Sequence, residues 1–455
     1  MEMASARRRG PNKPQGGGGD HQIALWGACV LLSSLSLLLA AASSGLGAAR
    51  LTGVNAREVG AIVKATTSAV AAVHVAGGDN DGGGGGRHCT DDDDLLRSMS
   101  VDGEWVRDVE RRRALYEPGQ CPFVDEGFRC SENGRPDGDY ATWWWRPRRC
   151  TLPRFDAARL LEILRGRRLV FAGDSIGRNQ WESMLCMLAT AVADKEGSIY
   201  EENGSPITKH KGFLSFRFRE HNCTVEHYRS PYLVRRGRRS PERGGGTIQL
   251  GAMDSRAARW KDADVLVLNT GHWWNQERLQ RLGCYFQDGK KLRLNMSVDD
   301  AYQRAMATLQ KWIQKEVNTT RTLVVLRTYS PAHVRRDIQQ DVYIMCPSRF
   351  RDSGGCAAET LPELNASRIK LHQWPGILNP NFEALKKFDT EMKKLHVLNV
   401  TLMTAQRRDG HPSVYNAAPS SRTTPAAADC SHWCLPGVPD AWNELLYALI
   451  VRRFM

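Results

Sequence analysis

At 455 residues the chain is long enough for one large domain or two ordinary ones with a tail and a linker, so a packed core is within its reach. Its twelve cysteines include no paired CxxC knuckles, which excludes a zinc site of that type and leaves no metal expected, and no repeat of the solenoid kind is present. The net charge of +13 would suit nucleic acid in a cytosolic or nuclear protein, but the N-terminal segment described next excludes that partner and leaves an anionic polysaccharide or a phosphorylated donor.

Arg7, Arg8, Arg9 and Lys13 precede a mostly apolar, uncharged run from about Ile23 to Ala42, long enough to cross a bilayer as a helix. Basic residues on its N-terminal side orient it as a signal anchor (22–42) with a cytosolic tail (1–21) and a luminal body. A cleaved signal peptide is the alternative, against which the length of the apolar run argues. The short, serine-containing span suits a thin early-secretory membrane. Gly/Ala-rich sequence through Gly82–Gly86 predicts a flexible stem (43–88), followed by a luminal domain over 89–455: a Cys/Trp-rich N-terminal lobe (89–165) and an α/β core (166–455). In an oxidising lumen most cysteines beyond Cys29 are expected in disulfides, with one odd thiol left over. Sequons at Asn203, Asn222, Asn295, Asn318, Asn365 and Asn399 suit a glycoprotein of that compartment.

Within the body, Cys121–Cys150 is rich in Pro, Gly, Trp and Cys and predicts a loop-dominated, disulfide-held lobe packed on a sheet. Its Trp143, Trp144 and Trp145 can stack on sugar faces, although core packing is the commoner fate of tryptophan. Arg168–Ala172 reads as an apolar strand, followed by a turn and an amphipathic helix from about Arg178 to Ala191. Alternation in KGFLSFRF and CTVEHYRSPYL predicts a hairpin between Thr208 and Val234, inserted in the α/β frame. Arg235, Arg236, Arg238, Arg239 and Arg243 lie in sequence broken by Gly and Pro: a solvated surface loop first, a substrate-steering patch second. A strand from Asp264, a helix near Asp299–Glu316, and strands from Thr322 and Leu395 follow. Strands separated by helices imply a doubly wound, mostly parallel α/β sheet with its sites at the carboxyl ends of the strands.

GDSIGRNQ (Gly173–Gln180) places Ser175 on the strand-to-helix turn, the way hydrolases and acyltransferases present a serine nucleophile. Gly173 allows the tight turn, Asp174 can fix its backbone, and the N–H of Ser175 points at a developing oxyanion. A serine after an apolar strand is common, so the motif gains its weight from DCSHWCLPG (Asp429–Gly437). There Asp429 and His432, three residues apart, supply a carboxylate to orient an imidazole and an imidazole to deprotonate Ser175; the alternative is a buried histidine bracketed by a disulfide at Cys430 or Cys434. NTGHWW (Asn269–Trp274) follows a strand and falls at the same sheet edge. Asn269, by its amide, and Gly271, by its backbone N–H, are oxyanion candidates; Arg178, His272 and Trp273 are further candidates for the oxyanion or substrate, against a plain Asn/Gly turn with a buried histidine. Asp409 and His411 in RRDGHPS form a competing pair in a turn, with His411 read as a structural or substrate-contact residue.

CPFVDEGFRCSENGRPDGDY (Cys121–Tyr140), LPRFD (Leu152–Asp156), VFAGDSIGRNQWESMLCML (Val170–Leu188), NTGHWW, RTYSP (Arg327–Pro331), GGC (Gly354–Cys356), DGHPSVY (Asp409–Tyr415) and DCSHWCLPGVPDAWNELL (Asp429–Leu446) run collinearly from Cys89 to the end. As a set they resemble the plant trichome birefringence-like family, SGNH/GDSL-like proteins of PC-esterase type that are Golgi polysaccharide O-acetyltransferases. The resemblance implies Ser175 as acyl-accepting nucleophile, His432 as general base and Asp429 as its orienter. It also implies disulfides Cys89–Cys150, Cys121–Cys186, Cys130–Cys434 and Cys356–Cys430. A type II Golgi membrane protein is implied, with no bound cofactor, an acetyl donor (acetyl-CoA or another luminal acetyl carrier) as co-substrate, and a cell-wall polysaccharide, most commonly xylan, as acceptor. A pectic or other hemicellulosic acceptor, an O-acetylesterase and a non-catalytic wall-polymer-binding protein are the alternatives. The chain departs from the family at Trp143-Trp144-Trp145, where Trp-Arg-Trp is usual, and in an extended loop around the extra Cys346.

Overall fold

A computed structural model describes residues 87–110, 114–208, 211–237, 246–276, 279, 283, 285–333, 356–369, 395–421 and 428–455. Of the tail, anchor and stem expected over 1–88, residues 1–86 lie outside the described residues, as do the arginines at 238, 239 and 243 and Cys346. Among the described residues no helix is long and apolar enough to cross a membrane.

The N-terminal lobe holds little regular structure. Helix α1 (Asp93–Ser98) starts at Asp92, whose carboxylate accepts the Leu95 N–H at 2.8 Å. Strands β1 (Gly103–Arg107) and β2 (Trp143–Pro147) pair antiparallel and set Trp105 opposite Trp145, edge to face at 5.6 Å. The two indoles donate to the carbonyls of Met403 and Met99, so Trp145 belongs to the core, while Trp143 and Trp144 stay half-buried.

Disulfides fasten this lobe. Cys89–Cys150 closes it, Cys121–Cys186 ties it to the central helix, and Cys130–Cys434 and Cys356–Cys430 tie two distant segments to the Asp429–Gly437 motif. These are the four pairs the resemblance implies. Each crosslink removes denatured-state freedom, typically about 2–4 kcal/mol. Cys223 is a free thiol; burial pushes it up to about 12, which leaves it unreactive.

In chain order the core continues with α2 (Ala157–Ile163), β3 (Arg168–Gly173), α3 (Ser175–Ala189), β4 (Ile199–Glu201), β5 (Phe213–Phe218), β6 (Cys223–Arg229), β7 (Val234–Arg236), β8 (Thr247–Met253), β9 (Val265–Asn269), β10 (Tyr285–Asp288), β11 (Lys291–Arg293), α4 (Val298–Glu316), β12 (Leu323–Arg327), β13 (Leu395–Leu398), α5 (Thr401–Ala405) and α6 (Val438–Phe454). The main sheet has seven strands in the order β13-β12-β9-β3-β6-β5-β4. β13 through β6 are mutually parallel, whereas β5 and β4 join antiparallel. Alternation within the central strands feeds two cores. Leu169, Phe171, Val265, Val267, Leu323 and Val325 face the side covered by α2, α3 and α6; Val170, Ala172, Leu266, Leu268, Val324 and Leu326 face α4. The fold is therefore a doubly wound, mostly parallel α/β sheet.

Two expectations need correction, and one sheet was not foreseen. The helix after Ser175 starts at Ser175 itself, three residues earlier than its apolar periodicity indicates, because Asp174 caps it. The hairpin between Thr208 and Val234 is no insertion: β6, buried on both faces, pairs parallel with β3 and makes the hairpin the flank of the main sheet. A second sheet, β11-β10-β8-β7, has no forerunner in the sequence reading, since all its strands but β8 have only three or four residues and carry too little periodicity. Of the sequon asparagines, Asn203, Asn222, Asn295, Asn318 and Asn365 are exposed, whereas Asn399 is half-buried.

Candidate active site

Ser175 is the first residue of α3, at the carboxyl end of β3 between β6 and β9. Asp174, wholly buried, accepts the N–H groups of Ile176 at 3.0 Å and Gly177 at 3.4 Å on Oδ1. The same oxygen accepts the Asn269 amide at 2.6 Å. That amide explains two glycines: a Cβ at either Gly173 or Gly177 would sit 1.9 Å from Asn269 Oδ1. The nucleophile turn is thus an Asp–Asn clamp with both flanking positions stripped of side chain.

The Asp429–Gly437 segment reaches the turn from the far end of the chain. Asp429 is bridged to Ser413 through reciprocal backbone hydrogen bonds of 2.9 and 3.0 Å. Its Oδ1 accepts the N–H groups of Ser431 and His432, both at 3.0 Å, and its Oδ2 accepts Nδ1–H of His432 at 2.7 Å. With Nδ1 carrying the hydrogen, Nε2 is free to accept the Ser175 hydroxyl, which lies 2.8 Å away. The imidazole packs on Phe128 at 5.4 Å and remains 23% exposed, so it faces both serine and solvent. Both flanking disulfides bracket it, yet it is not a sequestered core histidine.

α3 holds this segment directly. Asn179 accepts the Trp433 N–H at 2.7 Å and donates to the Trp433 carbonyl at 3.1 Å, one residue past His432. One turn on, Gln180, Ser183 and Asn443 interlock α3 with α6. The helix that starts with the nucleophile therefore also carries the base.

Charge is arranged to match. Burial works to raise the Asp429 carboxyl, but the charge and hydrogen bonds of His432 outweigh it and hold the group well below the usual carboxylate range. Burial opposes a charge on His432, yet Asp429 outweighs it and raises the imidazole above its ordinary 6.5. Asp174 is likewise raised by burial and then lowered further by His272, Arg327 and Asn269, ending well below the usual range. The Ser175 N–H opens the positive end of α3 and donates to no acceptor among the described residues, which suits it to a developing oxyanion.

The remaining candidates divide. Asn269 spends its amide N–H on Asp174, so its first task is to hold the turn. Gly271 opens the turn after β9, where the Trp274 N–H donates to its carbonyl at 3.0 Å. His272 sets Nδ1 3.5 Å from Asp174 Oδ2 and packs on Tyr329 at 4.4 Å. Trp274 is core, while Trp273 is half-buried beneath the Arg229 guanidinium at 5.5 Å. Arg178 is 4% exposed and engaged by Asp125 at 3.0 Å and Glu182 at 2.7 Å; it fastens the lobe to α3, which replaces the substrate contact read for it. Asp409 and His411 do not pair: Asp409 makes a two-pronged bridge to Arg407, both contacts 2.8 Å, and His411 is buried and stacked on Trp433 at 4.0 Å. Asn179, His333, Phe128 and Arg327 escaped the sequence reading; the one signal for Asn179 on α3 and Arg327 on β12 is polarity on elements that are otherwise almost wholly buried, and Phe128 and His333 carry none.

The family model of the GDSL/SGNH-like acyl-esterases found in Pmr5 and Cas1p, PC-Esterase, matches residues 152–449. The PMR5 N-terminal domain matches residues 100–151. Among curated proteins, trichome birefringence-like 9 of Arabidopsis thaliana is 41% identical over 77% of this chain and 82% of its own length. Protein trichome birefringence of the same plant is 39% identical over 77% of this chain, a region that is 56% of that longer protein. Xylan O-acetyltransferase 14 of Oryza sativa subsp. japonica is 34% identical over 77% of this chain and 76% of its own length.

Proposed function

Because this chain belongs to the PC-Esterase family and, within it, to the trichome birefringence-like proteins, we propose that it is an O-acetyltransferase acting on a plant cell-wall polysaccharide, with xylan the first acceptor to test. The observation that carries the proposal is the contact chain Asp429–His432–Ser175, at 2.7 and 2.8 Å. His432 Nε2 takes the Ser175 proton as Oγ attacks the acetyl carbonyl; the tetrahedral oxyanion forms against the Ser175 N–H. Collapse breaks the bond to the donor's leaving group, which departs with the proton from His432 and leaves acetyl-serine. A sugar hydroxyl then gives its proton to His432, attacks the same carbonyl and releases Ser175, which regains that proton. Asp429 keeps Nδ1 protonated throughout and offsets the imidazolium charge in each half-reaction.

The donor is acetyl-CoA or another luminal acetyl carrier. The apolar run expected as a signal anchor at 22–42 and the exposed sequons extend the proposal to a glycosylated type II protein of the Golgi membrane. The test is incubation of purified protein with an acetyl donor and deacetylated xylan, mannan, xyloglucan and pectic oligosaccharides, beside Ser175→Ala and His432→Ala. A mass gain of one acetyl on one glycan class, lost in both variants, is the expected result. Acetate release without glycan gain would make the protein an esterase.

A further inference from the structure

We infer that a basic cavity beside the nucleophile turn binds a carboxylate-bearing sugar unit of the acceptor, an inference that rests on the acetyltransferase reading. The cavity, about 340 Å³, is lined by Arg229, Arg235, Arg236, Arg256, Asp254 and Trp273 among others. Its carboxylate is already spent: Asp254 pairs with Arg256 at 3.0 Å and accepts the Ser230 hydroxyl at 2.9 Å. Arg229, Arg235 and Arg236 form no ion pair among the described residues. Burial lowers the Arg229 guanidinium and its neighbours Arg236, Arg178 and Arg256 lower it further, so Arg229 and Arg236 sit among like charges with no negative charge of their own, the nearby carboxylates being paired with Arg256 and Arg178. An anion entering the cavity supplies that charge.

The position ties the cavity to the reaction. Arg229 ends β6 directly beside Gly173 in the parallel register, and the Ser230 N–H donates to the Gly173 carbonyl at 2.6 Å. On the other flank Trp273 follows His272, which touches Asp174. The cavity therefore starts two residues from Ser175, where a polymer lying across the sheet edge presents the unit next to the one being acetylated. Planar guanidinium forks match a carboxylate, and the half-buried Trp273 indole that lines the cavity beneath Arg229 suits a carboxylate carried on a sugar over the bare phosphates of a donor.

The test uses the full-length protein and measures binding, which does not depend on turnover. Probes are a xylo-oligosaccharide with and without one glucuronosyl group, trigalacturonic acid, and inorganic pyrophosphate as a stand-in for donor phosphates. The uronate-bearing probes are expected to bind at least ten-fold more tightly than the neutral one. Arg235→Gln/Arg236→Gln, both exposed strand positions, should remove that preference while leaving the thermal midpoint in place. Equal binding of charged and neutral probes, a preference that survives the double variant, or displacement of the uronate by lower concentrations of pyrophosphate would each overturn the inference. Acetyl transfer is followed separately on these probes and on the mannan, xyloglucan and pectic acceptors: absence of transfer to all of them sinks the acetyltransferase reading, while the binding comparison still decides the subsite.

Discussion

Nδ1 of His411 donates to the backbone carbonyl of the candidate base, His432, at 2.6 Å. Nε2 of the same ring meets Nδ1 of His333 at 2.7 Å, and His333 Nε2 lies 3.0 Å from the Ala405 carbonyl. A buried pair of packed imidazoles thus stands between α5 and the segment that presents His432. Burial pushes His333 down to about 4 and His411 well below its ordinary value, so both rings are neutral at pH 7.

His411→Ala removes this hold while leaving the triad intact. The expected outcome is a fall in kcat of ten-fold or more with KM little changed, since what is lost is the placement of His432. Steady-state kinetics on the preferred acceptor checks this. An equal loss of kcat in a distant core variant of the same thermal midpoint would reduce His411 to a packing residue.

Asp429→Asn should keep the shape of the site and free Nδ1 to lose its hydrogen, which in comparable triads lowers kcat by about 10⁴-fold. Ser175→Ala should abolish turnover altogether. Trapping acetyl-serine by mass spectrometry after brief exposure to donor separates the two: no adduct in Ser175→Ala, and slow accumulation in Asp429→Asn.

Activity needs neutral His432, and Asp429 raises that group above 6.5. Transfer should therefore rise with pH through a midpoint above 6.5, and the midpoint should move down in Asp429→Ala as the carboxylate is removed. The signs for stability differ by group: the contribution of His432 is full below 6.5 and is lost as pH rises through the raised value. That of Asp429 and Asp174 is full above 3.8 and lost as pH falls toward their lowered values. A pH series of kcat/KM, with thermal midpoints alongside, resolves both.

Gly177→Ala places a Cβ 1.9 Å from Asn269 Oδ1. Overpacking of this kind costs about 1–3 kcal/mol. The crowded group belongs to one side chain, so adding Asn269→Ala should recover part of that loss, and a denaturation cycle over the four proteins should show strong non-additivity.

Glycan should be absent from Asn399. Its Oδ1 accepts hydrogen bonds from Thr328 and Thr401, each 3.3 Å, and the Thr401 hydroxyl donates to the Tyr329 carbonyl at 2.7 Å. Glycopeptide mapping should find occupancy among the exposed Asn203, Asn295, Asn318 and Asn365 instead.

Much of the frame was legible in the chain. β3, β9 and β12 are buried on both faces, so each is a near-continuous apolar run between turn residues. α4 shows its buried stripe of Tyr302, Ala305, Met306, Leu309 and Ile313 at helical spacing behind a Ser297 cap. The three-residue spacing of Asp429 and His432 is local too, and an Asx turn at Asp429 brings the two side chains together.

Tertiary structure alone decided how the distant pieces meet. Ser175 and His432 are 257 positions apart, and their contact depends on Asn179, two disulfides and the α3–α6 packing acting together. It also turned Arg178 toward Asp125 and Glu182, and gave His411, read as a structural or substrate-contact residue, its place as a brace for His432. Periodicity, caps and turns are written in a few consecutive residues because they follow from the backbone's short-range geometry. The partner of a buried polar group is fixed by which segments the packed core brings within about 3 Å, and residue order does not encode that distance.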